Sequence, residues 1–530
     1  MRFTFLMIAL GAICAAHIAQ AAPPGVPERL RQLTDDAPGD APFLNGGLLV
    51  AENGEVVFRR SAGMADFAAS IPIHADSVFP LASTAKPFTS TAVLQLRDRG
   101  RLRLDDPVAR FLPGFPYPDI TIRHLLGHTS GLPDLNLFEP LIAREPDHVV
   151  TGADLVPALT EWRQPLHFRA GDQFRYANVN YQLLALLVER VSGQSFGAYV
   201  REHIFRPAGM GSSYVLGTRA IGQHRAPVAN QVLAVMYRTV PENVRRLSYR
   251  DARMMRPYRY EGFNLGSTVG DQNVFSTLDD LLRFDTALAR GRLLSRASQA
   301  EAYTPIRLNS GLPYVESSEY QLYGVRCSYG LGWEVCNHPT RGRLVGHAGY
   351  SRGIYTMFYR GLDRRQLVVM YDNGDSGEFA PKFASAVNLL NGGEPLAISR
   401  HRSLTREYGR TLIEDGPTAA LILYNRLRAD TEHWATTPAG MNRLGYDLLR
   451  NGFEQLALEP FRINALLNPN DANAYDSLAE ALAVNARTSE AIAAYRRSLE
   501  LNPANERGKE ALRRLEASTA PRPQSSGGAP

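Results

Sequence analysis

Lysine is almost missing from this chain of 530 residues: of 58 basic residues, only Lys86, Lys382 and Lys509 are lysines. Arginine holds its proton at ordinary pH, so a side-chain amine base can come from those three positions alone. Excess charge of one sign is also lacking, since 58 Lys+Arg stand against 53 Asp+Glu, and a net +5 over this length excludes a nucleic-acid footprint. No segment after the first twenty residues reaches about 18 consecutive apolar residues, so the mature chain has no membrane-spanning helix. Cysteine is limited to Cys14, Cys327 and Cys336. With 44% hydrophobic and 21% charged residues the composition is globular, which excludes wholesale disorder and a collagen-like fibre.

The N-terminus supplies the one apolar stretch. Arg2 precedes a run from Phe3 to Ala16, followed by Ala19-Gln20-Ala21, the pattern of a secretory signal peptide over residues 1–21. The expected location is therefore across the inner membrane, in the periplasm. Cys14 follows Ile13, where a lipoprotein signal calls for a small residue. In an oxidising compartment Cys327 and Cys336 are either a bridge, worth roughly 2 to 3 kcal/mol by chain entropy, or two buried thiols.

Gly46–Ala51 and Val56–Arg59 flank Asn53-Gly54 and predict a hairpin. Helical patterns follow at 84–100 and 178–192, the second closing at Ser192-Gly193. Strand patterns return at 344–345, 354–359 and 366–371, before a helix at 379–390. Strands at both ends with helices between imply a mixed sheet whose first and last strands pair, hence one α/β domain over 25–395. The Arg-rich segment 215–320 carries no clear pattern.

Past Gly393 the chain matches itself at an offset of 34. Leu444, Ala457, Phe461, Asn468 and Pro469 return as Leu478, Ala491, Tyr495, Asn502 and Pro503. This resembles tetratricopeptide repeats over 400–517, an all-α unit expected to bind a protein partner or its own copy. The tail 518–530 is Pro/Ser/Gly-rich and expected to be disordered.

Three motifs carry chemistry. In Ser83-Thr84-Ala85-Lys86 the hydroxyl and the amine lie three apart, one face of a helix start, where a partly desolvated lysine can activate a serine. In Tyr176-Ala177-Asn178 the tyrosine can carry protons if cations lower its pKa, and the asparagine can offer an amide to a bound carbonyl. In His347-Ala348-Gly349-Tyr350 the small residues let a substrate backbone approach an edge strand, and the Tyr350 N–H is a candidate oxyanion donor.

In this order the motifs resemble the serine β-lactamase and penicillin-binding-protein superfamily. The likeness is to the branch with class C β-lactamases, D-aminopeptidases, D-alanyl-D-alanine carboxypeptidases and related esterases. Ile122–Leu132, Tyr329–Trp333 and Ser276–Leu281 look like the same branch. The resemblance implies a β-lactamase/transpeptidase-like sheet flanked by helices and a cofactor-free serine hydrolase taking a small-molecule or peptide substrate. It makes Ser83 the nucleophile, Lys86 its base, Tyr176 the second proton carrier and Asn178 a substrate-orienting amide. The N–H groups of Ser83 and Tyr350 become the oxyanion hole.

His347 stands where many relatives carry the lysine of Lys-Thr-Gly. A histidine is mostly neutral at pH 7, which argues against an efficient β-lactamase and leaves esters, amides and D-amino-acid peptides. Three rival readings compete with this one. Gly349–Gly353 fits Gly-x-Ser-x-Gly, but the run after it reads as a strand where a nucleophile elbow needs a helix. His124 and His128 lack the glutamate and third ligand of a metal site. The non-enzymatic alternative is an envelope scaffold working through its repeats.

Overall fold

The computed structural model describes residues 24–35, 43–66, 71–162, 164–215, 264–317, 323–351, 354–373, 379–398, 402–436, 438–450 and 453–519. The expected signal peptide, residues 216–263 and 318–320 of the Arg-rich middle, Arg352-Gly353 and nearly all of the tail lie outside them.

The hairpin forms where Asn-Gly predicts it. Strands β1 (Gly46–Glu52) and β2 (Glu55–Ala62) are joined by Asn53 and Gly54, both at positive φ, 55° and 85°. That pair of angles matches the right-handed twist of the flanking strands. Five further strands close the sheet: β3 (Cys327–Tyr329), β4 (Glu334–His338), β5 (Gly342–Ser351), β6 (Ile354–Gly361) and β7 (Gln366–Asp372). Their order is β2-β1-β7-β6-β5-β4-β3. The first and last strands pair as expected, Gly46 opposite Asp372 through Glu52 opposite Gln366. Every pairing in this sheet is antiparallel, so the sheet is not mixed.

Period-two alternation sends each strand's side chains to two cores. Leu367, Val369 and Tyr371 of β7 face one, Val368 and Met370 the other. Helices α1 (Val26–Asp35) and α5 (Phe379–Leu390) cover the second face. The first face is covered by α2 (Lys86–Asp98), α3 (Asn178–Ser192) and α4 (Leu278–Ala289). Helix α3 ends at Gly193 in the left-handed conformation, as a C-terminal glycine should. Cys327 and Cys336 are directly opposed on β3 and β4 and form a disulfide.

Seven helices follow: α6 (Leu404–Glu414), α7 (Gly416–Leu427), α8 (Pro438–Arg450), α9 (Glu454–Leu467), α10 (Ala472–Val484), α11 (Thr488–Leu501) and α12 (Glu506–Thr519). They bury a core of their own, separate from the two sheet cores. Self-matching residues occupy matching helices, Phe461 on α9 and Tyr495 on α11, with Asn468 and Asn502 capping the C-termini.

Candidate active site

The serine turn is positioned from three directions. Phe79–Pro80 pairs with Val274–Ser276, and the Leu81 N–H donates to Val274 O at 2.9 Å. Ala82 then takes φ +49°, which costs an alanine on the order of 1 kcal/mol and swings Ser83 onto a 3₁₀ turn leading into α2. The turn is tied to β5 and β6: Thr84 Oγ1 donates to His347 O at 3.1 Å, and Thr356 Oγ1 to Leu81 O at 2.7 Å. Gly349 is required here for a packing reason beside the expected one. A Cβ on it would lie 2.5 Å from Leu81 O and 2.4 Å from Thr356 Oγ1. Its missing side chain admits the serine turn.

Lys86 is fully buried, and its Nζ donates to Ser83 Oγ at 3.0 Å, Asn178 Oδ1 at 2.9 Å and Asp271 O at 3.1 Å. These three acceptors use all three hydrogens of the ammonium. Burial lowers its pKa to about 8, although Asp271 and Asp134 pull it upward. Lys382 and Lys509 are engaged elsewhere, with Asp372 and Glu506.

The Tyr176 hydroxyl is buried and closes no hydrogen bond among the described residues, while Lys86 Nζ stands 4.8 Å from the ring centroid. The condition set for this tyrosine, a pKa lowered by cations, is not met. Burial pushes the phenol well above its usual range; Ser83 pulls it down, and Glu334, Tyr181 and Asp271 raise it further. The free protein therefore holds Tyr176 as a neutral phenol. Beneath it lies His128, stacked at 4.2 Å and fully buried. Its Nδ1 accepts the Ala177 N–H at 3.2 Å, which puts the proton of the neutral ring on Nε2.

His347 is also buried, with Nδ1 2.6 Å from Ala348 O and Nε2 3.0 Å from Tyr329 Oη. Its ring therefore donates through Nδ1 and accepts through Nε2. Burial first, and then the Lys86 charge, lower its pKa to about 3, so it is neutral at pH 7. Asn178 opens α3; its N–H donates to Asp134 Oδ1 at 2.6 Å, and its Oδ1 is taken by Lys86.

A cavity of about 680 Å³ opens over Ser83, lined also by Tyr176, His347, Gly349 and Tyr350. Pairing of β5 with β4 stops at Gly346 opposite Glu334, so His347–Ser351 present an open edge to it. The Ala348 N–H points across that edge toward Glu334 Oε1 at 3.4 Å. By strand alternation the Tyr350 N–H, two residues on, points the same way.

All seven residues singled out in the sequence thus converge around Ser83. The rivals scatter: His124 closes a capping box with Thr121, and Ser351 ends a strand that turns back into β6. Asp134, Asp271, His128 and Glu334 escaped the sequence reading as site residues. Gly270 before Asp271 was the available signal: at φ +100° its Cβ would meet Tyr181 O at 2.3 Å. Only glycine lets that loop wedge against α3 and bring the Asp271 carbonyl to Lys86.

This fold is that of the β-lactamase and transpeptidase-like serine hydrolases. The chain belongs to the Beta-lactamase family, whose profile matches residues 28–390. Penicillin-binding protein 4* of Bacillus subtilis (strain 168) is 31% identical over 404 residues, 73% of this chain and 83% of that protein. Esterase EstB of Burkholderia gladioli is 34% identical over 201 residues, 34% of this chain and 50% of the esterase. The crystal structure of a penicillin binding protein from Bacillus halodurans is 26% identical, with a TM-score of 0.54, covering 68% of this chain and 98% of that one.

Proposed function

We propose that this protein hydrolyses ester, amide or D-amino-acid peptide bonds through an acyl-enzyme on Ser83. The observation that carries this is the 3.0 Å approach of a fully buried Lys86 amine to Ser83 Oγ. With a pKa of about 8, roughly a tenth of Lys86 is neutral at pH 7 and able to take the Ser83 proton.

Oγ then bonds to the substrate carbonyl carbon, and the oxyanion is received by the N–H groups of Ser83 and Tyr350. Collapse breaks the bond to the leaving group, which takes a proton from the Tyr176 phenol, itself resupplied by Lys86. Water, giving its proton back along the same route, hydrolyses the ester on Ser83. A neutral Tyr176 suits donation to the leaving group. Asn178 orients the lysine as well as the substrate, because its Oδ1 already holds Nζ.

The family relationship and the named relatives, a penicillin-binding protein and an esterase, support both ends of this substrate range. The lack of a cation at His347 favours the ester and amide end over β-lactams. Residues 1–21 are proposed as a signal for export to the periplasm. Residues 25–395 are proposed as the hydrolase unit, and 400–517 as a tetratricopeptide-like unit for a partner or a second copy. Exposed Ile422, Leu466 and Val484 support the last assignment.

The test is covalent labelling with a fluorophosphonate or a fluorescent penicillin. Wild type should label and Ser83→Ala should not. Equal labelling of both proteins would remove Ser83 as the nucleophile.

A further inference from the structure

Building on the reading of Tyr176 as proton donor to the leaving group, we infer that His128 is its positioning residue, a neutral imidazole that holds the phenol by its ring and its main chain. The three catalytic motifs leave His128 without a task, yet it is fully buried and strained. It follows the helical turn Ile122–Leu126 and Gly127, and takes φ +55°. A glycine adopts that angle freely, so what histidine adds at this position is its ring.

The hold on Tyr176 has three parts. The Arg175 N–H donates to His128 O at 2.9 Å, and the Ala177 N–H donates to His128 Nδ1 at 3.2 Å. The main chain on either side of Tyr176 is thus bound to one residue. Between those two bonds the Tyr176 ring stacks on the imidazole at 4.2 Å. His347 and Tyr329 stand further off, with ring centroids at 6.1 and 6.4 Å. The Tyr176 hydroxyl closes no hydrogen bond among the described residues, so the place of the phenol is set from its ring and backbone.

The surroundings of His128 also fix its protonation. Two donors converge on Nδ1, the Ala177 N–H and, at 3.1 Å, the Asn180 amide nitrogen. Asn180 turns that nitrogen toward the ring because its Oδ1 takes the Ser130 hydroxyl at 2.7 Å. Nδ1 is therefore a bare acceptor and the single ring proton sits on Nε2. Burial first, and then Lys86 and His347, keep the pKa well below the ordinary histidine value. A second proton on Nδ1 would break the bond to Ala177 and release one end of the Tyr176 main chain.

The experiment has two arms on the full mature protein. In the first, kcat/KM is measured for 4-nitrophenyl butyrate and ethyl butyrate, which share an acyl group. 4-Nitrophenolate leaves without help, whereas ethoxide needs the phenol's proton, so the ratio of the two constants reports on Tyr176. His128→Asn keeps an acceptor and tolerates positive φ but has no ring to stack. It should raise the ratio by about tenfold or more, as Tyr176→Phe should, and the double variant should go no further than Tyr176→Phe alone. A purely structural role would slow both esters alike. A ratio moved by Tyr176→Phe but not by His128→Asn, or effects that multiply in the double variant, overturns the inference.

The second arm leaves His128 in place and needs no turnover. In protein labelled with ¹⁵N-histidine, one ring should carry its proton on Nε2 from about pH 5 to 9, shift in Tyr176→Ala and hold in Tyr176→Phe. If Tyr176→Phe leaves the ester ratio unmoved, the donor reading of Tyr176 fails while this signature upholds the hold on it by His128. The absence of such a ring overturns the inference whatever the kinetics.

Discussion

Ser83 and Lys86 lie one turn apart, and the protonation of the pair is set by the company of Lys86. Burial alone would drive the amine toward neutrality, while Asp271 and Asp134 hold its pKa up at about 8. In the proposed mechanism the neutral amine is the base, so kcat/KM for a neutral ester should rise with pH and level off above about 8. Lys86→Ala should abolish that limb and lower the acylation rate by about 10²-fold or more, measured by stopped-flow labelling. Asp271 gives a sharper test. Its own pKa is raised to about 6 by burial, so it is mostly ionised at pH 7 and acts on Lys86 as a negative charge. Asp271→Asn removes that charge. The midpoint of the pH profile should move to lower pH, and a midpoint that stays or moves up would separate Asp271 from the control of Lys86.

The serine turn and the β5–β6 hairpin behave as one packed unit. Gly349 is the contact point, with the Leu81 carbonyl and two threonine hydroxyls around it. A methyl group there meets main chain, which cannot rotate away. Gly349→Ala should cost about 1 to 3 kcal/mol by overpacking and push Ser83 off its register with Lys86, so labelling should slow even where the protein stays folded. Thermal unfolding and labelling rate together check this. Across the sheet, the Cys327–Cys336 disulfide ties β3 to β4, and Cys327 lines the cavity. Reduction should lower stability by roughly 2 to 3 kcal/mol, read as a lower denaturant midpoint, because the bond closes a short loop in the unfolded chain.

The molecule has its cores on the two faces of the sheet and a third among α6–α12. A helical region with its own apolar core draws little stability from its neighbour. A chain ending near residue 395 should therefore stay folded and hydrolyse a small ester at a rate close to that of the full protein. Its elution volume or its captured partners should differ if the helices serve association. Loss of small-ester turnover on truncation would make α6–α12 part of the catalytic unit.

Much of this was legible in the chain because it is local. Asn53-Gly54 specifies its own hairpin, Gly193 its helix end, and Ser83-x-x-Lys86 its one-turn spacing, since each depends on backbone preferences over a few residues. The pairing of β1 with β7 also followed, from strands at both ends with helices between. The protonation of the site was out of reach. The partners of Lys86 come from 92 and 185 residues away, Asn178 and Asp271. Tyr176 looked like a proton carrier with a lowered pKa, but burial among His128, Tyr181 and two carboxylates raises it. Gly349 was legible as room for substrate, but that it also makes room for the serine turn was not. Glu334 carried no motif, and only the end of the β4–β5 ladder puts it on the cavity wall. A pKa and a cavity's charge are sums over distance in space, through a medium whose polarity is set by burial, and the chain acquires both only when the sheet and helices close around Ser83.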